Sequence, residues 1–455
     1  MRIKNLKFSA DDFHRWRKMS AMFALSALVL CIIQGPAQAK NANLGKVLHQ
    51  VEAYAPALKA AHANADAFRA KRSVARSRFL GEADAFAHSL NFNDNRLTRP
   101  IAPPINFSAF TFDDNQIGYG GSFQLPLDIN GRLRNSFHAS SHQAKAAAEN
   151  AANVRLVLLN RAALLYRGLE RVAGQRLALQ KQIEALKGHI KVAETAIEVG
   201  RIAAVERLRL VAELKVVEGR LAGLDGVEAG LRARLASLLE KQTFTDSVLS
   251  PTQEPVFLVA PKNSIANRPD VRAAGEIEEA AHSGVKAAWA AYFPDFFAGF
   301  TWLQNQGYNG SGANDPTWEV VIQARLPIWT GGRRQAQIGQ AKAQRRAAQY
   351  QQKAIEEGAL AELVAARASW SAAKAQYRAA QSAVIAAEEV TRIQTDRFDE
   401  GRLSATDLVD AEAALAGSRS ELASSLARWW QADDALRLAL GSTPVAYDDY
   451  SGTAE

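Results

Sequence analysis

The sequence predicts a mainly α-helical protein with a small β part, in which one unit of helix, β-hairpin and long coiled-coil helices occurs twice in tandem. The first observation is a repeat: a Leu-Pro-x-x-x-x-Gly-Arg motif at residues 125–132 returns 201 residues later, at residues 326–333. Gly200-Arg201 returns at the same offset as Gly401-Arg402. The second observation is a long stretch without proline after each motif. The third is a pair of segments before each motif in which apolar residues alternate with polar or small ones. A shared offset in separate regions indicates duplication of one unit.

The first 39 residues have the features of a secretory signal. A basic segment is followed by an apolar run at residues 21–33, and Ala37-Gln38-Ala39 offers a cleavage site of small residues. We therefore expect the mature chain to begin at Lys40. An N-terminal membrane anchor is the alternative, but the apolar run is shorter than the roughly 20 residues that cross a bilayer.

The composition of the exported chain limits the classes of function. Without residues 1–39 the chain has 49 basic and 45 acidic residues, a net charge of +4, which is weak support for a nucleic-acid partner, and we expect none. The single Cys and all three Met lie within the first 31 residues, so disulfides and thiolate metal sites are not expected. We find no nucleophile elbow, phosphate loop or HExxH motif, and we expect neither an enzyme nor a cofactor.

Two histidines, His138 and His142, stand four residues apart, a spacing that can hold a metal ion. A third ligand is not evident in the sequence. We therefore interpret them as two solvated side chains and predict no metal site.

The predicted elements follow the chain in the same order in both copies. Pro56 divides a helix candidate that runs over residues 43–79, and the second copy starts its counterpart at Pro269. The predicted ranges are a first repeat at 40–250 with strands at about 83–93 and 117–125, a linker at 251–267, a second repeat at 268–441 with strands at about 296–304 and 317–326, and a polar tail at 442–455.

The alternating segments predict strands with one apolar face. Phe296, Ala298, Phe300 and Trp302 alternate with more polar or smaller residues, and Glu319, Gln323 and Arg325 form a polar row. Four strands cannot close a membrane barrel alone, because the smallest such barrels have about eight. Strands from several chains could share one, since lipid tolerates no open sheet edge. An ordinary soluble hairpin remains the alternative at this point.

The long helices are predicted from composition and leucine spacing. Residues 132–199 would span roughly 100 Å at 1.5 Å per residue. The following segment has leucines at alternating spacings of three and four, which is typical of coiled coils. Gly200 and Gly401 mark the turn to the next helix. At the repeated motif, Pro126 and Pro327 are expected to end a strand, and Gly131, Gly331 and Gly332 to permit the turn into a helix.

Three motifs together resemble the TolC-type outer-membrane factor family. They are Leu-Pro-Ile-Trp-Thr-Gly-Gly at residues 326–332, Asn-Arg-Pro-Asp-Val at 267–271, and the segment at 397–411 that contains Asp407 and Asp410. The resemblance covers essentially the mature chain. It implies a homotrimer in the outer membrane lipid, with a twelve-stranded barrel that continues as a helical tunnel through the periplasm. It also implies two further partners, a periplasmic adaptor and an inner-membrane pump.

The same resemblance assigns the candidate site residues. Asp407 and Asp410 match the acidic pair that lines the periplasmic aperture, and Glu206 and Arg209 occupy the equivalent positions of the first copy. Arg209 could pair with an aspartate and hold the aperture closed; a solvated helix start is the alternative for the acidic pair. The turns Gly200-Arg201 and Gly401-Arg402-Leu403-Ser404 resemble the tips that face the adaptor.

The expected function is a passive exit duct, located in the cell outer membrane and extending into the periplasm. It would serve a tripartite efflux system that exports small molecules or metal ions, or alternatively a type I protein secretion system. A different class of function, a periplasmic coiled-coil scaffold without a pore, stays open.

Overall fold

We describe a computed structural model of the chain, which covers residues 44–98, 100–107, 110–248, 253–255, 265–308 and 316–451. The predicted signal at 1–39 and most of the predicted linker at 251–267 lie outside these residues. The chain divides into two compact units, and one of them comprises residues 1–42 and 245–247. All elements described below belong to the other unit, which comprises residues 43–244 and 248–455.

The first copy runs from a short helix to a pair of long ones. Its elements are α1 (Leu44–Tyr54), α2 (Pro56–Ser77), β1 (Glu82–Leu97), β2 (Phe112–Leu127), α3 (Arg132–Glu198) and α4 (Ala204–Leu238). Pro56 stands at the start of α2, where a missing N–H has no helical partner to lose.

The second copy repeats this order from α2 onward. Its elements are α5 (Pro269–Trp289), a 3₁₀ turn (Ala290–Tyr292), β3 (Asp295–Gly307), β4 (Thr317–Arg325), α6 (Arg333–Asp399) and α7 (Ala405–Ala439), followed by α8 (Val445–Ser451). Both α3 and α6 have 67 residues, and both α4 and α7 have 35. The two copies therefore build the same pair of helices, and the longer one spans about 100 Å.

The four strands form one antiparallel sheet in the order β1-β2-β3-β4. β1 and β2 are longer than their predicted ranges, because the ladder continues past an irregularity after the Asn91–Asn115 pair and includes Leu97 opposite Phe112. The polar run that follows Asn91 hides this continuation from the alternation pattern. Within the described ranges, β1 and β4 are the edge strands of the sheet.

Near the sheet, α3 packs between α2 and α5. Ala147 and Ala151 of α3 contact Ala65 of α2, and small side chains allow the helices to approach closely. On the other flank, Glu149 of α3 accepts hydrogen bonds from Arg272 of α5, with the shorter at 2.7 Å.

Farther along, α3 packs between α4 and α7. Arg176 of α3 donates to Asp225 of α4 at 2.8 Å, and Gln175 donates to Ser424 of α7 at 3.0 Å. α6 in turn packs on α7, where Trp370, Tyr377 and Trp429 form an aromatic core. Among the described residues, we find no helix that combines the length and the apolar character needed to cross a membrane.

The ends of the described chain pack on each other. The predicted polar tail contains α8, whose Tyr447 ring stacks on His49 of α1 with ring centroids 4.1 Å apart. Arg155 of α3 donates to Glu52 of α1 at 2.5 Å, and Tyr447 donates to the same carboxylate. The predicted polar tail is therefore partly helical and contacts α1 through Tyr447.

Candidate functional site

The strand register divides the sheet into two chemically different faces. On one face, Gly121, Trp302 and Trp318 lie in one row, and Phe123, Phe300 and Val320 lie in the next. We call this the apolar face; its further members are Ala83, Ala85, Ala87, Tyr119, Leu125, Phe296, Ala298, Ile322 and Ala324. On β4 the face is open to solvent, with Trp318 and Ile322 70% and 77% exposed.

The other face, called the polar face here, carries charged and amide groups. Its members include Glu82, Asp84, Ser122, Gln124, Thr301, Glu319, Gln323 and Arg325. The arrangement agrees with the predicted apolar row of β3 and the predicted polar row of β4.

Two aromatic side chains of the polar face lie flat over glycines, a feature that sequence reasoning missed. His88 pairs with Gly118 and Phe86 pairs with Gly120 across β1 and β2. A Cβ atom at Gly118 would overlap the His88 and Asn305 side chains, and one at Gly120 would overlap the backbone oxygen of Trp302. The sequence feature that could have predicted this arrangement is the Gly-Tyr-Gly-Gly run at residues 118–121, opposite a strand that contains Phe86 and His88.

The two junctions between sheet and helices differ in their capping. In the first, Asp128 accepts hydrogen bonds from the backbone N–H groups of Leu133 and Arg134 at 2.8 and 2.9 Å and so caps α3. In the second, the equivalent position is Trp329, which is 87% exposed. The glycines have the left-handed backbone that L side chains avoid, with φ of 73° at Gly131, 58° at Gly331 and 80° at Gly332.

Pro126 does not end its strand as expected, whereas β4 ends at Arg325, two residues before Pro327. β2 continues to Leu127, and Pro126 lies opposite Phe297 of β3. The β1 ladder stops at Gln124, so β2 is an edge on that side and the missing N–H costs no hydrogen bond there.

The turns at the far end of both helix pairs have the same hydrogen-bonded geometry. Gly200 and Gly401 have φ of 73° and 72°. The N–H of Arg201 donates to Ala196 at 2.8 Å, and that of Arg402 donates to Arg397 at 2.9 Å. These are the long-range bonds of a Schellman cap, which stops α3 and α6 at equivalent positions. We call the two turns and the first helical turns of α4 and α7 the helical tip.

The two copies contact each other directly at the helical tip. Arg201 donates to the backbone oxygen of Glu400 at 3.1 Å. Glu206 of α4 accepts from the N–H of Ala405 at 2.8 Å, so the first copy supplies a cap for α7 of the second. Ser404 adds the usual N-cap, accepting from the N–H of Asp407 at 3.2 Å.

The predicted aperture residues lie together at the helical tip, but among the described residues Arg209 contacts no aspartate. Its guanidinium donates to Thr406 at 2.8 Å and lies 3.5 Å from Glu206, three residues earlier on the same helix. Asp407 accepts from the Ser404 hydroxyl at 2.7 Å, and both Asp407 and Asp410 are exposed. The pairing proposed for the closed aperture is therefore not formed within this chain.

An apolar cluster supports the helical tip from behind. It joins all four long helices through Leu186, Leu210, Phe398 and Leu408, with Leu403 packed against it. The exposed carboxylates of Asp407 and Asp410 therefore stand on a rigid base, where they can attract cations or repel a second set of carboxylates.

The interpretation of His138 and His142 as two solvated histidines is wrong for His142. Its Nδ1 lies 2.7 Å from Glu276 of α5, and the side chain is half-buried. His138 is exposed. Within the described ranges, no group of three or more potential ligand residues could hold a metal ion.

Buried polar pairs within α3 and between α3 and α7 are a second feature that sequence reasoning missed. His189 lies 2.9 Å from Glu412, and Arg167 pairs with Glu170 at 2.9 Å and with Asp434 at 3.5 Å. Burial raises the pKa of Asp434 to about 6, against the opposing effect of Arg167. A comparison of the two copies could have found these residues, because the equivalents of His189, Glu412, Arg167 and Asp434 in the other copy are Val390, Val211, Ala368 and Ala233, and that of Glu170 is Ser371.

Comparison with known families gives a match over most of the chain. The model of the family described as "Outer membrane efflux protein" matches residues 47–239 and 260–442. The chain is 25% identical over 287 residues to Nodulation protein T of Rhizobium leguminosarum bv. trifolii, which covers 60% of this chain and 61% of that protein. The match thus spans about three fifths of that relative's length.

Two further relatives carry transport names. The cation efflux system protein CusC of Escherichia coli is 24% identical over 330 residues, covering 70% of this chain and 71% of that protein. The toluene efflux pump outer membrane protein TtgF of Pseudomonas putida is 24% identical over 278 residues, covering 59% and 56%.

Solved structures show the same fold. The outer membrane protein VceC from Vibrio cholerae superposes with a TM-score of 0.73 at 20% identity, covering 88% of this chain and 96% of that chain. The MtrE outer membrane channel of Neisseria gonorrhoeae gives 0.74 at 20% identity, with 88% and 89% covered. At these identities the likeness concerns the fold alone.

Proposed function

Because this chain belongs to the outer membrane efflux protein family, we propose that it is the outer-membrane exit duct of a tripartite efflux system. The observation that carries the proposal is one sheet with an apolar face and an opposite polar face, continuous with helices of about 100 Å. An apolar aromatic face suits lipid and a polar face suits a water-filled interior. The helices would then carry the interior across the periplasm.

The open sheet supports a homotrimer. β1 and β4 are free edges in one chain, and lipid tolerates no unpaired strand edge. Three chains with four strands each would close a twelve-stranded barrel. The exposed apolar residues of β4 would lie in the lipid of that barrel, and two similar copies per chain would give the ring a pseudo-sixfold arrangement.

The helical tip supports an aperture at the periplasmic end. Three chains would bring six carboxylates from Asp407 and Asp410 near one axis, a ring that favours cations. In this proposal Arg209 and Glu206 contribute by fixing the first turns of α4 and α7 against each other. The turns Gly200-Arg201 and Gly401-Arg402-Leu403-Ser404 would present the surface for a periplasmic adaptor, which joins the duct to an inner-membrane pump.

The cargo is proposed as small molecules or metal ions, in line with the names of the cation and toluene efflux relatives. A type I protein secretion duct is the second candidate, because a wide polar tunnel need not discriminate between kinds of cargo. Copurification of the pump distinguishes the two candidates. The periplasmic scaffold is the candidate of a different class, and it would leave the apolar face of the sheet without a lipid partner.

Separation of the membranes tests the proposal. Outer and inner membranes are separated on a density gradient, and the chain is followed on denaturing gels with and without heating. We expect it in the outer membrane as a trimer that dissociates on heating. Recovery in the soluble periplasmic fraction would refute the duct and favour the scaffold.

A further inference from the structure

A basic groove lies between α2 and the start of α3. It is a cavity of about 440 Å³, lined by Arg69, Arg72, Ser73, Arg76 and Phe137. We call it the arginine groove. The proposed duct gives it no role, since it lies far from the helical tip.

The three arginines share one side of α2, because positions i, i+3 and i+7 lie close together on a helix. All three are exposed. Arg69 pairs with Asp66, and the Arg72 guanidinium lies 5.6 Å from the centre of the Phe137 ring. In the part of the chain that the structure describes, we find no carboxylate paired with Arg72 or Arg76. The groove therefore has an excess of positive charge and suits an anion.

The arginine groove lies where the helices meet the sheet. Arg76 is six residues before the start of β1 at Glu82, and Phe137 is in the second turn of α3, just after β2. If the apolar face lies in lipid, this level is the boundary between the lipid and the periplasm.

The arginine groove lies on the side of α3 that also binds α1. Phe137 and Arg155 are 18 residues apart, or five helical turns, so they point the same way, and Arg155 binds α1. Ser136, about 100° around the helix from Phe137, lines a separate cavity of about 590 Å³ together with Glu82 and Gln124 of the polar face. The arginine groove is therefore distinct from the cavity that borders the polar face.

We propose that the arginine groove binds the phosphate of an anionic phospholipid headgroup in the leaflet that borders the apolar face. This inference rests on the proposed function, because it needs the sheet to lie in a membrane. Guanidinium groups suit phosphate through paired N–H donors.

The second copy does not repeat the three arginines of the groove. With Pro56 of α2 aligned to Pro269 of α5, Arg69, Arg72 and Arg76 correspond to His282, Val285 and Trp289. Trp289 lies under Lys342, with the ammonium 5.2 Å from the ring centroid, and Trp329, at the second junction between sheet and helices, is exposed. Tryptophans of this kind suit the interface as apolar anchors rather than as phosphate ligands. We therefore expect one phosphate site per chain, not two.

Native mass spectrometry of the purified full-length protein tests the proposal. The probes are phosphatidylglycerol, which is anionic, and phosphatidylcholine, which is not. Wild type should retain phosphatidylglycerol, at up to one molecule per chain, in preference to phosphatidylcholine. The triple variant Arg69→Gln, Arg72→Gln, Arg76→Gln should bind phosphatidylglycerol about tenfold more weakly, which is about 1.4 kcal/mol.

A matched control removes the same charge elsewhere. Lys181→Gln, Lys187→Gln and Lys191→Gln are on α3, about 65 to 80 Å from Phe137 along the helix. This control should retain phosphatidylglycerol as wild type does. Equal loss in the control and the arginine variant would overturn the assignment, as would equal retention of both lipids by wild type. Displacement of the lipid by inorganic phosphate at equal concentration would also overturn it in favour of a free-anion site.

The outcome is separable from that of the proposed function. A wild-type trimer that conducts ions but does not prefer phosphatidylglycerol overturns this inference alone. A chain that neither forms a trimer nor enters the outer membrane refutes the duct, and the lipid site falls with it.

Discussion

The imidazole of His189 and the carboxylate of Glu412 lie 2.9 Å apart and are both buried, so that a polar contact joins α3 of the first copy to α7 of the second. At the repeat-equivalent positions, α6 and α4 carry Val390 and Val211. The two copies are alike in helix length but differ in this contact. The polar contact between α3 and α7 is therefore not repeated by the equivalent helices α6 and α4, which carry valine at both positions.

A double-mutant cycle on this pair has a defined expectation. His189→Val leaves the Glu412 carboxylate buried and unpaired, so we expect a loss of about 3–5 kcal/mol in the free energy of unfolding. The double variant His189→Val, Glu412→Val installs the pair found in the other copy and should recover to within about 1 kcal/mol of wild type. Denaturant unfolding of the detergent-solubilised protein measures both. Additive losses in the double variant would contradict the pairing.

The buried carboxylate of Asp434 predicts a dependence of stability on pH. Burial raises the pKa of Asp434 to about 6, and the neighbouring Asp433 acts in the same direction, while Arg167 opposes them. The folded protein therefore keeps this proton between about pH 4 and 6, where the unfolded chain has lost it. The free energy of unfolding should fall as pH rises through that window, by up to about 3 kcal/mol from this group.

Two variants isolate that contribution. Asp434→Asn should flatten the change in stability between pH 4.5 and 6.5, whereas Asp399→Asn, at an exposed position, should leave that change as in wild type. Melting curves at the two pH values provide the comparison. The same slope in Asp434→Asn and wild type would show that Asp434 does not hold the proton.

The sequence predicted the elements whose signals are local. The repeated motif predicted the starts of α3 and α6 at Arg132 and Arg333, and the glycine turns predicted the ends of the same helices. The continuation of β1 to Leu97 was not predictable from alternation, because the run after Asn91 is polar. The His189–Glu412 contact joins residues 223 apart in sequence, and only the packing of α3 on α7 brings them together.

Three glycines of β2, two on the polar face and Gly121 on the apolar face, give a graded prediction. Gly118→Ala would meet the movable ends of His88 and Asn305, so the protein should assemble but lose conductance as these side chains turn toward the interior. Gly120→Ala would meet the backbone oxygen of Trp302 and should destabilise the sheet by about 1–3 kcal/mol. Gly121→Ala is the control, since its nearest atom is the Asp84 oxygen at 3.5 Å. Yield of the heat-dissociable trimer and single-channel conductance separate the three; identical behaviour would refute the assignment of the polar face.

The acidic pair of the helical tip is tested by ion permeation. Asp407→Ala with Asp410→Ala removes the proposed ring of carboxylates, so single-channel conductance should change and the preference for cations should fall. The reversal potential in a salt gradient measures that preference. Conductance and reversal potential equal to those of wild type would exclude both residues from the aperture.

Pairing of β1 with β4 of another copy tests the central claim most directly. Cysteine is placed at Ala85 on the apolar face of β1 and then, one position at a time, at residues 317–325 of β4, in a chain whose single Cys lies at position 31. The account predicts disulfide-linked dimers and trimers that alternate along β4, strong where the two cysteines share a face and weak between. Monomers at every position, or cross-linking without alternation, would contradict a barrel closed by neighbouring copies.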